Sequence, residues 1–220
     1  REMRRYGRPS IGSGLVFPIS EDDIMIDPIR IEDHWPRIAA IDFGWDHPTA
    51  LVWCAVDNED ETFYIYDCYR ASKASPTVHA QNIKMRPHFI PIAYPHDGNR
   101  RDSMGNPGLA DQYRNLGCNF MLEHFTNPPA LGSNKGSNSI EEGLMAMLQK
   151  IEAKKFKVFS TLGDWFEEFR MYHRKDGKVV PLRDDLLSAT RYAFQSQRFA
   201  VAGEDPSWTA DVEYRNYGIV

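Results

Sequence analysis

The segment Ile38–Trp53 reads IAAIDFGWDHPTALVW and places one carboxylate, Asp42, inside an otherwise apolar run. A short run of this kind predicts a buried strand, and a buried charge is costly unless another group compensates it. The turn residues of GWDHP predict a chain reversal, after which TALVWCAV forms a second strand. The interpretation of the whole chain therefore depends on what compensates the charge of Asp42.

The residues that follow extend this pair of strands into a sheet. The charged stretch DNEDET predicts a turn, and FYIYDCYRA predicts a third antiparallel strand that is rich in aromatic residues. Farther along the chain, helical segments alternate with apolar segments such as IPIAYPHD and FKVF. This order predicts an α/β fold with a central mixed β-sheet flanked by helices.

The composition limits the classes of protein to consider. The chain has 220 residues, of which 42% are hydrophobic, which suits one domain with a substantial core. Its formal net charge of −5 argues against general binding of polyanions, so contact with nucleic acid would need local basic patches. The sequence contains neither an apolar run long enough to span a membrane nor the apolar core of a signal peptide. Three cysteines without a CxxC pair predict free thiols in a reducing compartment.

The chain divides into three predicted parts. Residues 1–35 are basic at first, then rich in Gly, Pro, Ile and Asp; they show no helical period and predict an extended arm or linker. Residues 36–200 carry the alternating strands and helices and form the predicted domain. Residues 201–220 are polar and predict a loose C-terminal tail.

Carboxylates recur where predicted core strands end or a predicted helix begins. Asp42 lies in the first strand, Asp97 ends the strand IPIAYPHD, and Asp184 and Asp185 open the helix DDLLSATRYAF. If the first and fourth strands are neighbours and the helix crosses them, these side chains meet at one edge of the sheet. Clustered carboxylates repel one another unless one is protonated or a cation lies between them, and hard divalent cations prefer such oxygen ligands. A pair of such ions about 3.5–4 Å apart can drive in-line displacement at phosphorus.

Each of these carboxylates also has a simpler interpretation. Asp42 and Asp97 each stand close before a glycine and suit a turn at the end of a strand. Asp184 suits the N-cap of a helix, and Asp185 suits the first helical turn, where negative charge is favourable. Only the order of these positions along the chain favours a shared metal site over the simpler alternatives.

Four segments resemble the C-terminal nuclease domain of the large terminase subunit of tailed phages, especially those that package DNA by the headful mechanism. YGRPSIGSGLVFPI resembles the linker that follows the packaging ATPase domain, and IAAIDFGWDHPTALV resembles the first catalytic strand. YPHDG resembles the second acidic motif, and DDLLSATRYAF resembles the terminal motif, an acidic pair followed by apolar residues and Arg-Tyr. The resemblance covers nearly the whole chain, and its specificity lies in the order of the motifs.

The resemblance implies an RNase H-like fold and two-metal hydrolysis of double-stranded DNA, the concatemeric viral genome, with Mg²⁺ or Mn²⁺. Carried over to this chain, the catalytic and metal-binding residues are Asp42, Asp97 and one or both of Asp184 and Asp185. Many relatives carry a further Asp at the position of Ser188, so the second metal is expected to bind weakly here.

The resemblance also implies partners. They are the packaging ATPase domain of the same polypeptide, the small terminase subunit and the portal. No GxxxxGK[ST] motif occurs in these residues, so the ATPase domain is expected outside them. The implied location is the host cytoplasm, and the protein is not expected in the mature virion.

Basic residues near the acidic motifs are candidate contacts to the DNA backbone, although each could also belong to a solvated surface. They are Arg100 and Arg101 after Asp97, Lys135 in a Gly/Ser/Asn-rich loop, and Arg174, Lys175 and Lys178 on a predicted Asp-Gly hairpin.

Four further side chains near these motifs are given structural roles. His47 and His96 are expected to be structural rather than catalytic, because a strand histidine beside a ligand Asp points to the opposite face. Trp45 and Trp53 are expected to lie in the core.

Two other functions remain as alternatives. The first is a module without catalytic activity that holds DNA or a partner on a degenerate nuclease fold; the retained acidic residues argue against it, and Ser188 keeps it open. The second is a phosphate-binding ATPase half-domain of the actin and sugar-kinase type, because IDFGWDHPTA superficially matches its Asp-x-Gly loop. That class needs a second Gly-rich phosphate loop, which we do not find in the sequence.

Overall fold

The structure is a computed structural model that describes residues 14–100, 107–129 and 136–203. The strands formed by these residues are β1 (Met25–Ile26), β2 (Arg37–Asp42), β3 (Thr49–Val56), β4 (Phe63–Ala71), β5 (Ile92–Ala93), β6 (Phe156–Phe159), β7 (Arg174–Lys175) and β8 (Lys178–Val179). The helices are α1 (Pro76–Ile83), α2 (Leu109–Asn115), α3 (Ile140–Glu152), α4 (Gly163–Met171) and α5 (Asp185–Gln195). Short 3-10 turns cover Glu21–Asp23, His96–Asn99 and Gln197–Phe199.

Six of the strands form one mixed sheet in the order β1-β6-β4-β3-β2-β5, and β7 pairs with β8 in a separate hairpin. The neighbours β2, β3 and β4 are antiparallel, whereas β5 lies parallel to β2, β6 parallel to β4, and β1 parallel to β6. The predicted α/β fold with a central mixed sheet and its antiparallel meander are confirmed. The first predicted strand also pairs with the fourth, which is the condition that the metal-site interpretation required.

Alternation along β2 sends its side chains into two separate cores. Ile38 and Ala40 pack with α3, α4 and α5, whereas Ala39 and Ile41 pack with α1 and α2 on the other face of the sheet. Because alternate residues of a strand share a face, Asp42 continues the row of Ile38 and Ala40. It therefore ends β2 on the face that α5 covers, and α5 packs directly on β2 and β3.

The fourth predicted strand is much shorter than expected. β5 has two residues, Ile92–Ala93, and Asp97 lies beyond it in the 3-10 turn His96–Asn99 rather than at the strand end. Pro91 and Pro95 flank the short strand, and proline cannot donate a ladder hydrogen bond. The pairing therefore stops before Asp97, and a turn carries this carboxylate onward.

The described part of residues 1–35 packs on the domain and is not a separate arm. Val16, Phe17 and Ile24 are buried in the core, and the Phe17 ring stacks on that of Phe169 with centroids 5.9 Å apart. β1 adds a parallel edge strand beside β6. The lack of helical period was real, but apolar residues without a period can still fill the edge of a sheet. The domain boundary at residue 35 stays a prediction, and residues 1–13 lie outside the described residues.

The described part of the predicted tail begins against the sheet. Val201 forms an antiparallel bridge with Arg37, and residues 204–220 lie outside the described residues. The three cysteines carry free thiols. No helix among the described residues has the length and apolarity needed to cross a membrane.

Candidate metal centre

The site is built around Asp42, which is half-buried at the end of β2. Burial, together with the charges of Asp185, Asp97 and Asp184, raises the pKa of Asp42 to about 7, while the charge of Arg191 opposes this rise. Four predicted carboxylates therefore act on one another at one edge of the sheet. Their roles as ligands stay a prediction, but the structure does bring them into one electrostatic site.

The acidic pair stands at the start of α5. Asp184 occupies the N-cap position, yet its side chain makes no capping hydrogen bond, and Asp185 is the first helical residue. Burial raises the pKa of both carboxyl groups, and for Asp184 the neighbouring charge of Asp185 adds to this effect. Helix capping by Asp184, one of the simpler interpretations, is therefore wrong.

Asp97 approaches the site from an exposed turn. The following residue, Gly98, is buried, and a Cβ there would lie 2.6 Å from the Phe43 ring and 2.7 Å from the Tyr94 ring. Only glycine fits this contact, so the turn that presents Asp97 is clamped against two aromatic side chains. The turn interpretation and the metal-site interpretation of Asp97 are compatible.

Arg191 is a site residue that the sequence analysis did not assign. It is 5% exposed, its guanidinium lies over the rings of Tyr192 and Phe125, and its charge lowers the pKa of Asp42 and Asp184. Its Nη1 has no hydrogen-bond partner among the described residues. The α3 residue Gly143 makes room for it, because a Cβ there would lie 2.8 Å from the Arg191 Cγ and Cδ atoms.

Helical spacing was the signal that could have revealed Arg191. Ser188 and Arg191 follow Asp184 at intervals of four and three residues, which puts all three on one face of α5. The buried cation partly compensates the carboxylates. The Tyr192 hydroxyl adds a hydrogen-bonding contact to Asp42.

The loop between β2 and β3 forms one rim of the site. His47 is exposed, and a positive charge on it lowers the pKa of Asp184 and Asp185, so it lies near the acidic pair; its structural role stays a prediction. Trp45 is 59% exposed, and its placement in the core was wrong, whereas Trp53 is buried as expected. The loop is fixed by Thr49, whose hydroxyl accepts from the Gly44 N–H at 3.2 Å and donates to the Gly44 carbonyl at 2.8 Å.

The candidate DNA contacts have different surroundings. Arg100 is exposed at the end of the turn that carries Asp97. Arg174 is bound by both carboxylate oxygens of Glu141 at 2.7 Å, so its charge is already paired with α3. Lys175 and Lys178 are exposed on the Asp-Gly hairpin. Arg101 and Lys135 lie outside the described residues.

The donor set suits a hard divalent cation, although it is not a ready-made cage. In the described ranges, no three His, Cys, Asp or Glu side chains stand close enough together to hold a metal as they are. Carboxylates that repel one another are expected to stay apart until a cation draws them in. Burial is the largest cause of the raised pKa of Asp42, and repulsion by the neighbouring carboxylates adds to it. Oxygen donors of this kind are the ligands that Mg²⁺ and Mn²⁺ prefer.

Known proteins resemble this chain over most of its length. The family model for the terminase RNaseH-like domain matches residues 39–197. The large terminase subunit of Salmonella phage P22 is 37% identical over 201 residues, which cover 91% of this chain and 39% of that protein. The chain thus spans about two fifths of the length of that relative.

Solved structures give the same grouping. The nuclease domain of the P22 large terminase superposes with a TM-score of 0.78 at 36% identity, covering 87% of this chain and 96% of that one. A more distant match is the large terminase nuclease domain of bacteriophage SPP1 with bound Mn, at a TM-score of 0.51 and 17% identity, covering 77% of this chain and 93% of that one. At that identity the second match supports the fold alone.

Proposed function

Because this chain belongs to the terminase RNaseH-like domain family, we propose that it is the nuclease domain of a phage large terminase and cuts double-stranded DNA during headful packaging. The observation that carries the proposal is the convergence of three further carboxylates, Asp97, Asp184 and Asp185, on Asp42 at one edge of an RNase H-like sheet. A site of this charge would attract divalent cations strongly, and the SPP1 domain was solved with Mn bound.

In the proposed reaction, bound Mg²⁺ or Mn²⁺ supplies Lewis-acid stabilisation of charge on the phosphate and a reactive water. Asp42, Asp97 and the pair Asp184 and Asp185 are the oxygen donors that would hold the ions. The positive charge of the buried Arg191 offsets part of the repulsion between the carboxylates, so the site can remain folded before any ion binds. His47 and Trp45 are exposed on the loop that follows Asp42, and we assign the approach of DNA to this loop.

The substrate must approach a protein that carries a formal net charge of −5. Arg100, Lys175 and Lys178 are the exposed cations that we assign to the DNA backbone among the described candidates. Few local cations release few counterions and give weak binding, so the remaining affinity would come from the ATPase domain of the same polypeptide. The small terminase subunit, the portal and a location in the host cytoplasm belong to the same proposal.

The test is incubation of supercoiled plasmid with the full chain in Mg²⁺, in Mn²⁺ and in a chelator, each with and without ATP. We expect nicked and linear DNA with either metal, no product in chelator and no effect of ATP. DNA binding without cleavage under all conditions would favour the docking-module alternative. Hydrolysis of ATP by this chain would favour the sugar-kinase alternative.

A further inference from the structure

A buried carboxylate from a neighbouring helix caps α5. Glu168 of α4 is 0% exposed, and its Oε2 accepts hydrogen bonds from the backbone N–H groups of Leu186 at 2.7 Å and Leu187 at 3.3 Å. These two residues are the second and third of the helix that Asp184 precedes. The first N–H groups of a helix have no partner within it, so a carboxylate placed there stabilises the helix start.

These two N–H groups are the donors that an N-cap aspartate normally uses. A side chain at the N-cap accepts from the second or third residue of its own helix. At the start of α5 both donors are taken by Glu168, and the Asp184 side chain makes no capping bond. The carboxylate of Asp184 is therefore released from its own helix and contributes to the field at Asp42.

Glu168 is itself held from the sheet. Arg70 of β4 donates from Nη1 to the Glu168 Oε1 at 3.1 Å and from Nη2 to Glu167 at 2.7 Å and Asp164 at 3.0 Å. Glu167 also forms an ion pair with Arg183 at 3.6 Å, in the turn just before the acidic pair. Arg183 adopts a left-handed backbone with φ of 52°, an uncommon conformation for a residue with a side chain. Arg70 of β4 thus holds the start of α5 to the sheet through Glu168 and Glu167.

We propose that Glu168 is a positioning residue of the nuclease site: by capping α5 in place of Asp184, it frees the acidic pair to bind metal. The inference rests on the proposed nuclease function. Without the cap, Asp184 would turn back onto the N–H groups of Leu186 and Leu187, and the site would lose one donor. Residues that only support metal ligands are worth about 10–100-fold in metal affinity or activity.

The test compares Glu168→Ala with Glu168→Gln in the full chain. The glutamine keeps one carbonyl oxygen that can accept from the helix start, and it should stay within about threefold of the native protein, an allowance well inside the 10–100-fold expected for loss of the cap. The alanine should lower Mn²⁺ affinity and kcat by about 10–100-fold and leave KM for DNA unchanged, because the exposed cations lie elsewhere. Glu168→Asp, which keeps the charge but withdraws it by one methylene, should behave as the alanine does and decides the question if the alanine fails to fold.

The chain offers a matched control between the same two helices. Trp165 of α4 donates from its indole N–H to the Thr190 hydroxyl of α5 at 2.9 Å, one turn beyond the cap. Thr190→Val removes that buried cross-helix bond and should lower stability without changing Mn²⁺ affinity or kcat. Equal losses in Thr190→Val and Glu168→Ala, or native metal affinity in a folded Glu168→Ala, would overturn the positioning role. Absence of cleavage by the native chain would instead count against the nuclease function, while the Mn²⁺ titrations would still test the cap.

Discussion

The two faces of the sheet are built from the same strands, yet they bury different chemistry. Under α1 and α2 the buried cluster is made of apolar and aromatic side chains, among them Ile41, Trp53 and Tyr113. Under α5 the core also encloses Glu168 and Arg191, and the half-buried Asp42 lies on the same face. Buried charge costs stability unless it is compensated. The charged residues under α5 are therefore not explained by the stability of the fold, which points to a functional role for this face.

The largest expected effect separates the two faces at adjacent residues of β2. Asp42→Asn should reduce metal-dependent cleavage at least about 100-fold, because even the residues that support metal ligands are worth about 10–100-fold. The metal-free variant should be as stable as the native protein or more stable, since one of four repelling charges is gone. Plasmid nicking beside thermal unfolding in chelator measures both effects. Full cleavage by the variant would remove Asp42 from the site.

The neighbouring residue should give the opposite pattern. Ile41 is 0% exposed on the apolar face, so Ile41→Ala should lower the free energy of unfolding by about 2–5 kcal/mol. Metal affinity and cleavage by the folded fraction should stay near native, because the cavity opens on the side away from the carboxylates. Urea unfolding and Mn²⁺ titration at low temperature make the comparison. Loss of metal affinity as large as in Asp42→Asn would show that the two faces are coupled.

The apolar strands could be predicted from the sequence more fully than the positions of the polar site residues. Strands β2, β3 and β4 follow from short apolar or aromatic runs bounded by turn residues, both of which are local signals. The position of Asp97 did not, because the short strand between Pro91 and Pro95 ends before it and a turn carries it to the site. The packing of Val16 and Phe17 was also missed, because their contacts in the core depend on segments that are distant in the sequence.

The two residues that support the acidic pair differ in how far the sequence could have predicted them. Arg191 lies seven residues after Asp184, so helical spacing alone could have suggested it. Glu168 contacts Leu186 from another helix, and no pattern near the acidic pair points to it. Local rules offered Asp184 as an alternative cap of α5 because it is the nearest carboxylate, whereas tertiary packing supplies Glu168.

The charged face should also make stability depend on pH when no metal is bound. Burial raises the pKa of Asp42 from 3.8 and that of Glu168 from 4.5, each to about 7, so between these values the folded state binds more protons than the unfolded state. Stability is therefore highest at low pH within this window and falls as pH rises toward 7. Each unit of pKa shift is worth about 1.4 kcal/mol, so the fall should be on the order of 1 kcal/mol or more.

Thermal unfolding in chelator from pH 4 to pH 8 measures this dependence. Asp42→Asn should flatten it in part, because Glu168 still contributes. Added Mg²⁺ should stabilise the native chain more at pH 8 than at pH 5, where protons compete for Asp42. A stability that rises steadily with pH in chelator would contradict the repulsion inferred at the site.

The smallest expected effect concerns Ser188, which lies half-buried one turn after Asp184 on the charged face. The family resemblance implies Asp at this position, so we expect the native chain to show one strong and one clearly weaker metal site. Ser188→Asp adds an oxygen donor and should tighten the weaker site. The gain should be only a few-fold, because Arg191 lies three residues farther along α5 and would pair with the new carboxylate, as i,i+3 charges on a helix do.

Calorimetric titration with Mn²⁺ compares Ser188→Asp with Ser188→Asn, which has nearly the same shape without the charge. The asparagine variant should keep the native weak site, so a tightening in the aspartate variant alone would assign the effect to charge. Two equally tight sites in the native chain would contradict the expectation. In that case the four existing carboxylates, with Arg191, would already hold two ions without an Asp at position 188. The charged face would then bind more metal than the presence of Ser188 suggests.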